Sequence, residues 1–400
     1  MDSPKQSAAA AALLPDDALV EILSCLPAKS LCRFKCVSRS WRDLIADRLR
    51  CTNLPQALEG FFFDGDEGGD SNNDDDDAPV VYGNFINTLG KPAPLASYSF
   101  LGNVPGIQEF GLLRSCNGLL LFSHKRVGDT YNSLGYIVCN PATEQWVAVP
   151  SSGFKPISLL DEGEDPGSDS DNEIGCTFTY LIFDPALSSH FQLVEFVSDD
   201  CMCVVEVHAY SSETGVWRDG DWTPGHSISF FAGDAFVNGM LHLSVTSFVR
   251  CQADQELIVA VDGDGKKCRI IHGPEKRADV AFVGQSQGRL HCMNEHSDNA
   301  ELSIWVLEDY DAQEWVLKHS VAFLQLFGRM SCRVHSDYSV IAIHPDRNLI
   351  FFLQHWGLEL KSYDMDSQEV CTLCTVGAGR QNIVPYVPYF AESPALASKH

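Results

Sequence analysis

Four times between residues 115 and 353 a tight polar turn runs straight into an apolar strand. The copies are SCNGLLLFS (115–123), FVNGMLHLSV (236–245), SQGRLHCMN (286–294) and HPDRNLIFFL (344–353). Asn-Gly is the strongest short hairpin signal, because a type I′ turn needs positive φ at both central residues. A second element recurs after them: a strand, a polar turn, then tryptophan or another apolar residue opening the next strand. It reads IVCNPATEQWVAVP (137–150), VHAYSSETGVWRDG (207–220) and WVLEDYDAQEWVLK (305–318), with ELKSYDMDSQEVCTL (359–373) a weaker relative. Gly118, Gly239, Gly288 and Asn348 are spaced by about 120, 50 and 60 residues. The first interval holds two units, the hidden one opening at TYLIFDPALSSHFQLVEFV (179–197).

Repeats of roughly 40–50 residues with four strands each are the mark of propeller blades. Each small sheet has two apolar faces, and radial stacking buries both. Five to seven blades fit the length and six is the expected number; a twisted β-sandwich is the alternative that the same turn signals allow. Trp146, Trp217 and Trp315 hold one place in the repeat and are expected to pack. Trp222 and Trp356 fall outside it, in DGDWTPGH and LQHWGLE, and are the candidates for a target-binding rim.

The first fifty residues are of another kind. Pro15 can start a helix, where its missing N–H is harmless, and Asp16 and Asp17 suit the positive helix end. Leu19, Ile22, Leu23 and Leu26 then follow a helical stripe that Pro27 ends. Leu31 and Phe34 mark a short second helix. Ser38 is an expected N-cap for a third, which presents Trp41, Leu44 and Ile45. A unit of about forty residues seldom builds a self-sufficient core. Its surplus apolar side chains either dock on the rest of the chain or wait for another protein.

Charge separates the two parts as well. The chain has 28 Lys+Arg against 54 Asp+Glu, a net −26, whereas residues 1–50 hold eight basic and six acidic residues. An acidic body repels phosphate backbones, which argues against nucleic acid as a general partner. It also predicts basic or neutral protein targets. Residues 64–77 and 161–173 concentrate eight and seven carboxylates and have the composition of solvated, disordered runs. Neither fits the spacing of a calcium loop. No apolar run reaches the roughly 18 residues a membrane span needs.

Catalytic signals dissolve on inspection. GQSQG (284–288) satisfies G-x-S-x-G, but it precedes a strand rather than a helix and occupies the slot of the Asn-Gly turns, so Ser286 reads as a hairpin residue. CTLC (371–374) lacks a second ligand pair for zinc. The cysteines, 15 in all, are expected to be reduced and mostly buried, which suits the cytoplasm or nucleus. His242 and His291 lie in strands and are expected in the core or between blades. No catalytic residue, metal site or cofactor is expected.

The order Leu14-Pro15, helix, Leu26-Pro27, SLCRFKCVSRSW (30–41) and RDLI (42–45) resembles the F-box. SCNGLLLF followed by VCNPATEQWVAVP resembles the F-box-associated, kelch-like propeller domain abundant in plants. The resemblance implies a small three-helix F-box followed by a β-propeller, an α plus all-β multidomain chain. It divides as a disordered N-terminus (1–12), F-box (13–54), linker with an acidic disordered run (55–94), propeller (95–392) and C-terminal tail (393–400). It implies a non-catalytic substrate receptor of a Skp–cullin–F-box ubiquitin ligase. Leu14, Pro15, Ile22, Leu23, Leu26, Leu31, Val37 and Trp41 would match the positions that contact the Skp-type adaptor or form the F-box core. A scaffold outside any cullin ligase, or a propeller lectin or enzyme with a helical head, are the alternatives.

Overall fold

The computed structural model describes residues 16–24, 34, 37–41, 44, 58–63, 84–88, 98–103, 107–126, 135–153, 176–199, 203–222, 226–247, 256–275, 279–296, 300–377 and 382–396. Strands β1 (Gly60–Phe63) and β2 (Asn84–Asn87) come first. Blade 2 follows, with β3 (Ile107–Cys116), β4 (Leu119–Arg126), β5 (Gly135–Asn140) and β6 (Gln145–Val149). Blade 3 holds β7 (Cys176–Ile182), β8 (Gln192–Ser198), β9 (Val204–Ser211) and β10 (Val216–Asp219). In blade 4 the inner strand is split into β11 (His226–Ile228) and β12 (Asp234–Val237), both paired with β13 (Met240–Ser247), and β14 (Glu256–Val261) and β15 (Lys267–His272) complete the sheet. Blade 5 has β16 (Asp279–Ser286), β17 (Arg289–His296), β18 (Glu301–Asp309) and β19 (Glu314–Ala322). Blade 6 has β20 (Tyr338–Ile343), β21 (Leu349–Gln354), β22 (Glu359–Asp364) and β23 (Glu369–Thr375). The final strand, β24 (Ile383–Tyr386), returns to pair with β1, so blade 1 is the composite sheet β2-β1-β24.

The ring is a six-bladed propeller, and its cores show why. Neighbouring residues along a strand point to opposite faces, and here each face meets a different blade. On β4, Leu120 and Phe122 join the core shared with blade 1, while Leu119 and Leu121 join the one shared with blade 3. Both faces are thus dry, which is why LLLF is apolar without alternation. On β1, Phe62 packs toward blade 2 and Phe61 toward blade 6. Further cores join blades 3 and 4, 4 and 5, and 5 and 6. The chain of interfaces closes on itself.

The turns follow the sequence. Asn117-Gly118, Asn238-Gly239 and Gln287-Gly288 all take positive φ at both positions. Before the outer strands, Glu144, Gly215, Gly265, Gln313 and Gln368 take the left-handed conformation. The side chains of Asn140, Asp262, Asp309 and Asp364 cap those turns by accepting the backbone N–H two residues on, at 2.8–3.1 Å. Trp217 and Trp315 sit two residues past the left-handed position. Each donates its indole N–H to the end of the preceding blade, Trp217 to Pro150 O (2.8 Å) and Trp315 to His272 O (2.9 Å). They pack, as expected.

Two glycines in equivalent turns are not equivalent in cost. A Cβ on Gly118 (φ +91°) would lie 2.5 Å from the Tyr389 backbone nitrogen, whereas one on Gly239 (φ +74°) would meet nothing within 4 Å. Gly118→Ala is therefore expected to destabilise by about 3 kcal/mol and Gly239→Ala by about 1 kcal/mol. Urea unfolding of the two variants measures the difference; equal midpoints would remove the Tyr389 contact from the explanation.

Two expected boundaries change. Segment 55–94 is more than a linker, since β1 and β2 within it are integral to blade 1; β24, which pairs with β1, lies over three hundred residues beyond it, out of reach of any local signal. Residues 393–396 are more than a tail: Leu396 is buried in the core between blades 2 and 3, and Ser393 donates to Ser189 O at 2.8 Å. The expected disordered N-terminus and both acidic runs lie outside the described residues.

Candidate functional site

On the head, helix α1 (Asp16–Ser24) turns Leu19 and Leu23 inward. Val20, Phe34, Trp41 and Leu44 close over them, with the Phe34 and Trp41 rings 5.4 Å apart. Ser38 caps the helical residues 39–41, its Oγ accepting the Trp41 N–H at 3.2 Å. Among the described residues no sheet side chain joins this cluster. Ile22 and Val37 instead face outward, 52% and 63% exposed. Leu14, Pro15, Leu26 and Leu31 lie outside the described residues, as do most of the residues expected to form a second and a third helix. The expected contact set therefore divides: Leu23 and Trp41 hold the head together, and Ile22 and Val37 are presented.

The inner strands of the propeller surround a cavity of about 1260 Å³. Arg114 on β3, Tyr180 on β7 and Asp234 on β12 form a ladder across three adjacent blades. The Arg114 guanidinium lies 5.1 Å from the Tyr180 ring centroid and its Nε 3.6 Å from Asp234 Oδ1. Burial pushes the Asp234 carboxyl up, and Arg114 partly offsets this. Cys116 beside them is held at about 12 by burial, which leaves it a poor nucleophile. Ser286 is buried on the β16–β17 hairpin and donates to His344 O at 2.8 Å, so it is a structural hydroxyl. Cys371 is exposed on an edge strand instead of sitting in the core; among the described residues no group of three or more His, Cys, Asp or Glu could hold a metal ion.

His242, His291 and Leu121 occupy the same place in their blades, three residues after the turn glycine, and all are buried. His242 reaches the next blade through Tyr310 Oη (2.8 Å). In blade 6 the equivalent of Tyr310 is Met365, and His291 Nε2 finds no partner among the described residues. Burial drives both imidazoles down to about 4, against 6.5 when unfolded. They are neutral in the fold and take up protons on unfolding, so the stability they allow is complete above pH 6.5. It falls as pH drops toward 4, by about 3 kcal/mol each. His291→Leu, which copies Leu121, is expected to flatten the fall in urea stability between pH 7 and 4.5 by about that amount. An unchanged slope would assign the acid sensitivity elsewhere.

The two off-pattern tryptophans separate. Trp222 is no rim anchor: it packs into the core between blades 3 and 4, edge-on to Phe196 at 5.4 Å, because residues 219–222 fold back onto that interface. Trp356, on the β21–β22 loop, is 38% exposed. Phe327 at the end of helix α2 (Phe323–Phe327) backs it at 6.0 Å, and Arg329 lies over it at 3.7 Å. Sequence reasoning missed Phe231, exposed in the break between β11 and β12, since nothing in the repeat marks that bend.

Comparison with known proteins agrees with this geometry. Residues 12–53 match the family model of the F-box domain, and residues 82–377 match the model described as F-box protein At3g26010-like, beta-propeller. Among relatives, F-box protein At5g07610 of Arabidopsis thaliana is 23% identical, covering 84% of this chain and 76% of its own. The putative F-box/kelch-repeat protein At1g15680 of Arabidopsis thaliana is 26% identical, covering 93% and 86%. Among solved structures, the α-L-arabinofuranosidase Arb93A of Fusarium graminearum overlaps 67% of this chain and 80% of its own at 8% identity and a TM-score of 0.38.

Proposed function

Because the chain belongs to the F-box proteins that carry an At3g26010-like β-propeller, we propose that it is the substrate-recognition subunit of a Skp–cullin–F-box ubiquitin ligase. The head binds the Skp-type adaptor, and the propeller holds a target protein. The receptor makes and breaks no bond itself. It raises the effective concentration of a charged ubiquitin-conjugating enzyme near the target's lysines, which is catalysis by proximity. Its place of work is the cytoplasm or nucleus.

The observation that carries this reading is the outward placement of Ile22 and Val37 on a head whose own core is closed by Leu19 and Leu23. Exposed aliphatic side chains on a small bundle are what a lasting interface needs. Leu14, Pro15, Leu26 and Leu31 complete the proposed contact set, with Leu23 and Trp41 supporting it from behind. Deleting residues 13–54 is expected to abolish adaptor pull-down while the thermal unfolding of the propeller is kept. Adaptor capture that survives the deletion overturns the proposal. Cullin co-purification separates a ligase receptor from an adaptor-binding scaffold.

A further inference from the structure

The loop after α2, the β21–β22 loop and the break in blade 4 meet beside the central cavity. Phe231 is 74% exposed and its ring stands 5.8 Å from His335. His355 ties the two neighbouring loops together: its Nδ1 contacts Ser336 O at 3.0 Å and its backbone N–H donates to Asp337 O at 2.9 Å. Trp356 comes next in the chain, with Arg329 over it, and Met330 beyond is 70% exposed. Phe231, His335 and His355 also line the cavity, so the patch borders a recess deep enough for a side chain.

Two of its exposed side chains are cations, on a molecule that is strongly acidic as a whole. Arg329 and Arg333 are exposed here, and neither guanidinium has a carboxylate within ion-pair distance among the described residues. Two carboxylates lie close by, and Glu295 interacts electrostatically with Arg333. Glu295 is buried and accepts the Val334 N–H (2.7 Å) and the Tyr338 hydroxyl (3.0 Å); Asp337 accepts the Arg333 backbone N–H (2.9 Å). On a chain of net charge −26, the patch exposes two arginines along with three apolar side chains. Tryptophan and arginine are also the residues that most often dominate binding energy.

We propose that this patch is where the propeller takes its target, and that it takes an acidic peptide segment carrying an aromatic or aliphatic anchor. The anchor sits between Phe231, Met330 and Trp356, and flanking carboxylates meet Arg329 and Arg333. The acidic body then repels the segment in general, and the two exposed guanidiniums offset that repulsion at the patch, which favours docking there. This rests on the receptor reading above and names its target class, in place of the basic targets that the overall charge suggests.

The test selects a random-sequence peptide library, displayed on beads, against the full chain and against an R329E/R333E variant. Both substituted side chains are exposed, so the variant is expected to fold, and its thermal midpoint checks this. Enriched peptides are expected to carry Asp or Glu next to an aromatic or aliphatic residue. The double variant, and separately Trp356→Ala, should lose at least about tenfold in affinity for them, with added salt acting in the same direction. Enrichment of basic or uncharged peptides, no enrichment, or equal binding to the variants overturns the proposal. So does arginine-dependent binding of a single-stranded oligonucleotide. Adaptor capture measured on the same preparations keeps the two claims apart: its absence sinks the receptor reading whatever the library shows, and its presence with a failed selection sinks only the patch.

Discussion

Replacement of both Ile22 and Val37 by aspartate is expected to abolish capture of a Skp-type adaptor, weakening it by at least about a hundredfold. Both side chains are more than half exposed, so neither substitution opens the core formed by Leu19, Leu23, Phe34 and Trp41. A carboxylate forced against an apolar partner loses its hydration without gaining a counter-charge, and that penalty falls on the complex alone. Leu23→Asp is the contrasting variant. Leu23 is 1% exposed, so a charge there unfolds the head and removes binding for a different reason. Limited proteolysis within residues 13–54 distinguishes the two, since only the unfolded head is expected to be cut readily. Titration of purified adaptor by surface-immobilised binding checks the effect. An affinity within threefold of the native chain would show that these residues do not form the interface.

The second large effect concerns ring closure. Phe62 is fully buried, and its ring stands 4.7 Å from Phe85, 5.4 Å from Tyr98 and 4.9 Å from Tyr386. Phe62→Ala leaves a hole at the joint between the N-terminal and C-terminal strands and is expected to cost about 3–5 kcal/mol. Removing residues 382–396 goes further. It strips β24 from β1, unpairs Gly60–Phe63 along one edge, and uncovers the cores that blade 1 shares with blades 2 and 6. The thermal transition is then expected to lose its cooperativity, with strong uptake of a dye that binds exposed apolar surface. A truncated chain that melts like the whole one would mean that the ring is held shut elsewhere.

The parts of this fold that were legible are those where local chemistry forces local geometry. Asn117-Gly118 and Asn238-Gly239 announce their turns because few residues tolerate positive φ twice in succession. LLLF at residues 119–122 announces a strand buried on both faces. Other features were hidden for equally physical reasons. Glu144, Gln313 and Gln368 take the left-handed conformation without a glycine to advertise it, held there by the capping Asn140, Asp309 and Asp364. GFFF at residues 60–63 looks like a fragment before an acidic run, and only its distant partner Ile383–Tyr386 makes it a central strand. Trp222 and Trp356 have similar polar neighbours in sequence, yet one is walled in by blades 3 and 4 and the other opens to solvent under Arg329. On the head the stripe of Leu19, Ile22 and Leu23 marked a helix face but not which member would be left outside.

The pairing of β1 with β24 also sets a schedule for biosynthesis. At about 5–20 residues per second, roughly 15–65 s separate the emergence of Phe63 from that of Ile383. Through that interval the edge of Gly60–Phe63 that will receive the last strand stands open, with Phe61 and Phe62 beside it. The N-terminal helical head therefore leaves the ribosome long before the ring can close.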